Sequence, residues 1–74
     1  MADKTLDTQG LACPLPVLKA KKALTEMAKG ATLEVLATDP GSVEDFRAFC
    51  KTTGHVLEES GEKAGVYRFV IRRA

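Results

Sequence analysis

Gly10-Leu11-Ala12-Cys13-Pro14-Leu15-Pro16-Val17-Leu18-Lys19-Ala20 is the stretch that decides how this chain folds. A glycine punctuates a turn, two prolines stand two residues apart, and an amphipathic run follows at once. Inside a helix such a proline pair would remove two hydrogen bonds and break the element. In the first turn it does no harm, because the N–H groups of a helix start have no intrahelical partner. The prolines therefore mark a helix beginning, with Pro14 at the first helical position, Pro16 in the first turn and Cys13 at the N-cap. From Pro14 to Lys29, the residues Val17, Ala20, Leu24, Met27 and Ala28 recur at helical spacing, with Lys19, Lys22 and Glu26 on other faces. Gly30 is expected to end the helix.

Working outward, Thr5-Leu6-Asp7-Thr8 reads as a short first strand, and Gly10 makes the turn that leads to Cys13. Beyond the helix, Thr32–Thr38 reads as a strand with Leu33, Val35 and Ala37 on one face. Asp39-Pro40-Gly41 is a turn. Ser42-Val43-Glu44-Asp45 resembles a capping box with Asp in place of Glu. It opens a helix that places Val43, Phe46, Phe49 and Cys50 on one stripe and closes at Gly54. His55–Glu59 and Val66–Arg72 read as a hairpin joined through Gly61–Gly65. The order β-α-β-α-β-β predicts an α+β fold, a two-layer sandwich of a four-stranded mixed sheet with both helices on one face. The first two strands should be parallel, with a right-handed crossover. The loop before Cys13 and the loop holding Asp39 then leave the same edge of the sheet, where sites in such units usually lie.

The totals limit what else the chain can do. Seventy-four residues fit one domain, 1–74, with a modest core and little space for an enclosed active site. Eleven basic and ten acidic residues leave a net charge of +1, which gives no general reason to bind nucleic acid. Lys19-Ala20-Lys21-Lys22 and the tail Arg68…Arg72-Arg73 read first as solvated surface, and second as docking points for an acidic partner protein. The first residues lack an apolar signal region, and no stretch is long enough to span a membrane. A cytoplasmic location is expected, where Cys13 and Cys50 stay as thiols.

Cys13 is the candidate for chemistry. A free cysteine is often a small buried hydrophobe, but prolines on either side of Leu15 would hold this one outward in one orientation. A helix start favours the thiolate. Pro14 and Pro16 donate no N–H, leaving Leu15 and Val17, so a small lowering of the thiol pKa is expected. Cys50 lies on an apolar stripe and reads as core, with a second sulfur site as the other reading. Asp39 reads as a turn cap or as part of a partner-facing edge; a carboxylate near Cys13 would raise the thiol pKa, so it is not an activator. His55 reads as a capping or surface residue. One His and two distant Cys assemble no metal site at a recognised spacing, and no phosphate loop or hydrolytic constellation is present.

Gly10-Leu11-Ala12-Cys13-Pro14-Leu15-Pro16 with the lysine-rich helix after it resembles the signature of the TusA/SirA sulfur-carrier family. Asp39-Pro40, Phe49-Cys50, Gly54-His55 and Tyr67-Arg68-Phe69 with Ile71-Arg72 extend the likeness nearly end to end. The resemblance implies a fold like the C-terminal domain of translation initiation factor three. It implies that Cys13, supported by Gly10, Pro14 and Pro16, accepts sulfane sulfur as a persulfide from a cysteine desulfurase or rhodanese-type donor and relays it to an acceptor protein. In such families the relay serves tRNA 2-thiouridine synthesis, molybdenum-cofactor maturation or sulfur oxidation. No cofactor and no direct nucleic-acid or membrane partner is implied, and a carrier of this size suits a monomer. The best-known tRNA-thiolation members carry an acid between the prolines where this chain has Leu15. Lys19, Lys22 and Asp39 are candidates for partner docking. The alternative functions are a regulatory adapter in which Cys13 is incidental and, by fold analogy alone, a nucleic-acid binder.

Overall fold

A computed structural model describes residues 2–74. The elements run β1 (Lys4–Asp7), α1 (Leu15–Thr25), β2 (Thr32–Ala37), α2 (Ser42–Thr53), β3 (Val56–Lys63) and β4 (Val66–Arg72). They form one sheet in the order β1-β2-β4-β3, with β1 parallel to β2 and both other pairings antiparallel.

Strand composition explains this order. Phe69, Val70 and Ile71 are consecutive and buried, and β4 lies inside the sheet, flanked by β2 and β3. In β3 only Leu57 is half-buried and the other residues are exposed, so β3 takes the edge. A bulge after Leu57 shifts its register, a common device at exposed edges.

One face of the sheet presents Leu33, Val35, Ala37, Phe69 and Ile71. Ala20, Ala23 and Leu24 of α1 and Phe46 and Cys50 of α2 pack against that face. Both helices therefore cover the same side, as the element order predicts. The Phe46 and Phe69 rings meet at 4.6 Å between centroids. On the opposite face Arg68 bridges Glu34 and Glu59, and Arg72 pairs with Glu58 at 2.6 Å. Such exposed pairs contribute little stability, but they keep the uncovered face wettable.

Several element ends differ from the sequence expectation. α1 starts at Leu15, with Pro14 at the N-cap and Pro16 buried in the first turn, so Cys13 stands one residue outside the cap. It ends at Thr25, not Lys29, and Gly30, at φ +82°, instead serves a turn closed from Ala31 N–H to Ala28 O. β3 runs on through Gly61, and Ala64-Gly65 makes a two-residue turn with φ of 52° and 83°. Positive φ at both central positions matches the right-handed strand twist, and that advantage outweighs the reluctance of Ala64 to adopt it. No capping box forms at α2: Gly41 is the N-cap, and no side chain caps the helix. Gly54 closes α2 at φ +84°, as expected. Among the described residues no helix is long and apolar enough to cross a membrane.

Two outcomes follow. Phe46→Ala removes the fully buried ring that joins α2 to β4 and should destabilise by about 3–5 kcal/mol in urea unfolding. The His55 ring packs beside Phe49, and its Nδ1 accepts the Ala74 N–H at 2.9 Å. Burial, then the nearby Arg73 charge, hold its pKa below the ordinary 6.5. The unfolded chain therefore binds this proton more readily. The stability from neutral His55 is complete above pH 6.5 and is lost as pH falls through the lower native value. His55→Asn, which keeps an acceptor without the titration, should flatten unfolding free energy against pH in that window.

Candidate functional site

Parallel pairing sends the segments after β1 and β2 to the same sheet edge, and three hydrogen bonds hold them there. Thr8, fully buried, donates both its N–H and its hydroxyl to Leu36 O, at 2.8 and 2.6 Å. Gly10 N–H reaches Thr38 Oγ1 at 2.9 Å. Gly10 has φ +84°, a conformation glycine adopts without strain. Pro14 then begins the entry to α1 after a cis Cys13–Pro14 peptide.

Asp39 joins the two loops. One carboxylate oxygen accepts Cys13 N–H and the other accepts Gly41 N–H, both at 2.8 Å. These donors, Cys13 first, hold the Asp39 carboxyl below the usual carboxylate range. Gly41 is pressed close: a Cβ there would lie 3.4 Å from Cys13 Cβ, 3.5 Å from Sγ and 3.3 Å from Asp39 Oδ1. These are contact distances for Cys13 and slightly tight only for the Asp39 oxygen, so the cysteine loop lies directly against the start of α2.

The sulfur itself is exposed. Its thiol donates a hydrogen bond to Asp45 Oδ2, from the first turn of α2. The expected lowering of the thiol pKa is overturned. The Asp45 hydrogen bond chiefly, with desolvation and the negative charges of Asp45 and Asp39, pushes it up to about 11. The cause lies in the helix start. Pro14 and Pro16 have no N–H, and the Leu15 N–H is taken by Ala12 O at 2.9 Å. One of the two expected donors is thus engaged elsewhere, and the sulfur's own partner is a carboxylate.

Asp45, with Pro14, Val17, Lys21, Ala48 and Phe49, also lines a shallow, mainly apolar groove of about 370 Å³ between α1 and α2. Lys19 and Lys22 are not beside the thiol; they line a smaller depression with Lys4 and Leu6, beside β1. Leu15 and Leu18 are exposed by 44% and 54% on α1, just after the cysteine. Cys50 lies in the core, its thiol pushed up by burial, in keeping with the packing reading. Ser42 Oγ is buried and has no hydrogen-bond partner among the described residues.

Sequence reasoning missed Asp45 and Gly41. Asp45 was legible as an acid four residues into a helix start, a pattern that equally describes a cap. Only the close approach of the two loops turns its carboxylate to the sulfur.

Comparison with known proteins identifies the family. A family model described as Sulfurtransferase TusA matches residues 4–73. The chain belongs to the TusA family. It is 54% identical to the sulfur carrier protein TusA of Allochromatium vinosum, over 97% of this chain and 95% of that protein. It is 42% identical to the sulfur carrier protein TusA of Pseudomonas aeruginosa, over 96% and 90%. The crystal structure of a SirA-like protein from Desulfitobacterium hafniense superposes with a TM-score of 0.84 at 34% identity, covering 93% of this chain and 95% of that one. This TusA-family fold therefore has the four-stranded mixed sheet and two helices that the element order implies.

If Asp39 is what fastens the cysteine loop, Asp39→Ala should leave the sheet intact but raise amide exchange at Cys13 by at least about tenfold. Equal protection at Cys13 in both proteins, measured by NMR, would show that the loop is held by something else.

Proposed function

We propose that this TusA-family protein is a sulfur carrier that holds sulfane sulfur as a persulfide on Cys13. The observation that carries the reading is the placement of that thiol: exposed, outside the helix cap, and fastened to a rigid sheet edge through its own backbone N–H. Another protein's cysteine can reach it without unfolding the carrier. Cys50, the other thiol, is buried in the core.

Loading moves one sulfur without net oxidation. The Cys13 thiolate attacks the outer sulfur of a donor's persulfide, a new S–S bond forms, and the donor's S–S bond breaks. The donor's inner sulfur leaves as a thiolate with the bonding electrons and takes a proton. Delivery is the same step with an acceptor cysteine attacking the outer sulfur on Cys13. The donor class we infer is a cysteine desulfurase or a rhodanese-type protein, and the acceptor is a relay protein with its own cysteine. The reducing cytoplasm is the compartment that suits this chemistry.

For docking we assign the exposed Leu15 and Leu18, with Lys19 and Lys22 beside them on α1, to contact with apolar and acidic partner surface. Both carboxylate oxygens of Asp39 are engaged within the protein, so we assign it to holding the loop.

Incubation with a cysteine desulfurase and free cysteine should add the mass of one sulfur to the intact protein. Cys13→Ser should abolish the addition, and Cys50→Ala should not. No addition from any persulfide donor, together with full partner binding by Cys13→Ser, would replace the carrier with a regulatory adapter.

A further inference from the structure

The carrier reading explains why Cys13 is exposed, but not why a carboxylate meets its sulfur. Asp45 and Glu44 both lie in the first turn of α2, where acids usually serve the helix itself. Glu44 turns to solvent, 83% exposed at its side chain, and pairs loosely with Arg47 at 3.7 Å. Among the described residues Asp45 makes no cap and no ion pair, and its carboxylate's hydrogen bond is the one it accepts from the Cys13 thiol.

We propose that Asp45 is a positioning residue for the sulfur chemistry, whose carboxylate holds the thiol proton of Cys13 and so keeps the unloaded sulfur directed and at rest. This rests on the carrier reading of Cys13. The geometry comes from three elements: the loop after β1 carries the sulfur, the β2–α2 loop fixes it through Asp39, and α2 supplies the acceptor. Gly41, the N-cap of α2, lies between these parts, where an added Cβ would stand 3.4–3.5 Å from Cys13.

The charges acting on the sulfur are those of Asp45 and Asp39, both negative. Lys21 of α1 shares the groove with Asp45 but is not among the charges acting on the sulfur. Ionising the thiol therefore places a third negative charge beside two, and the proton stays on sulfur at neutral pH. A partner that lays a Lys or Arg side chain against Asp45 removes that restraint by pairing with the carboxylate. The sulfur then becomes an ordinary thiol, free to ionise at the moment a donor or acceptor is in place.

The test needs no sulfur donor. The full chain, Asp45→Asn and Glu44→Gln are each treated with iodoacetamide over a range of pH, and alkylation of the Cys13 peptide is followed by mass spectrometry. The wild-type midpoint should lie near 11, and that of Asp45→Asn should fall toward the ordinary thiol value. A fall of roughly two pH units raises the thiolate fraction about a hundredfold while its intrinsic nucleophilicity drops about tenfold, so alkylation at neutral pH should quicken roughly tenfold. Glu44→Gln removes the same charge one residue away and should leave the profile unchanged.

A wild-type midpoint at the ordinary thiol value overturns the proposal even if Asp45→Asn proves unstable. So does an Asp45→Asn profile that coincides with wild type in a protein whose circular dichroism is unaltered. An equal shift in Glu44→Gln would also overturn it, reducing the effect to net charge. Loading by a desulfurase is scored separately by intact mass. A shifted profile without loading condemns the carrier reading alone, and normal loading with an unshifted profile condemns the role of Asp45 alone.

Discussion

The parallel pairing of β1 with β2 brings together two loops that are 26 residues apart in sequence, Cys13 on one and Asp39 on the other. An antiparallel pairing would put those loops at opposite ends of the sheet. Because the strands are parallel, the Asp39 carboxylate can take the Cys13 N–H with one oxygen and the Gly41 N–H with the other. That staple holds the cysteine loop beside the start of α2, where the thiol meets Asp45. It sets how near the cysteine backbone comes to α2. The strands themselves are short, four and six residues, so side-chain bonds from Thr8, Thr38 and Asp39 extend the pairing beyond the ladder.

A small domain must bury what apolar surface it has, and this one does so on one face. Phe46, Phe69, Leu24, Leu33 and Ile71 fill the space between sheet and helices. The cysteine is left at the rim, outside the first helical turn. The two prolines serve both demands. Pro16 is buried and adds to the packing, while Pro14, exposed at the cap, sets the chain's entry into α1. Their imide nitrogens also leave the helix start poor in donors. The residues that set the start of α1 thus remove groups that would have favoured the thiol's anion.

Much of the architecture was legible because it depends on local pattern. The proline pair marked the start of α1 to within a residue, and Gly54 marked the end of α2. The alternation of Leu33, Val35 and Ala37 identified the inward face of β2. Element order then gave the shared sheet edge. The failures have physical causes. Met27 and Ala28 continue the helical spacing past Thr25, yet the chain leaves the helix there and turns back through Gly30, bonded to Arg73 O, to begin β2. Gly61 was read as a turn residue, but pairing with Arg68 holds it in the strand, and the reversal falls at Ala64-Gly65. For the thiol, the direction of the pKa shift was misread because helix position was weighed without its surroundings. The decisive partner is 32 residues away, a separation no local pattern encodes.

A raised thiol pKa works against a nucleophile, since it is the thiolate that attacks. A carrier, however, must perform two steps with one sulfur: in the first Cys13 attacks, and in the second it departs. Attack is slow when little thiolate exists, and departure is slow when the leaving thiolate is a strong base. A carboxylate beside the sulfur therefore retards entry and exit alike. Lowering the pKa permanently would relieve both restraints but would leave the thiol open to oxidants and small electrophiles between partners. Holding the proton with Asp45 until a cation answers that charge confines reactivity to the docked state. In that state the same change in environment improves the nucleophile with a donor and the leaving group with an acceptor.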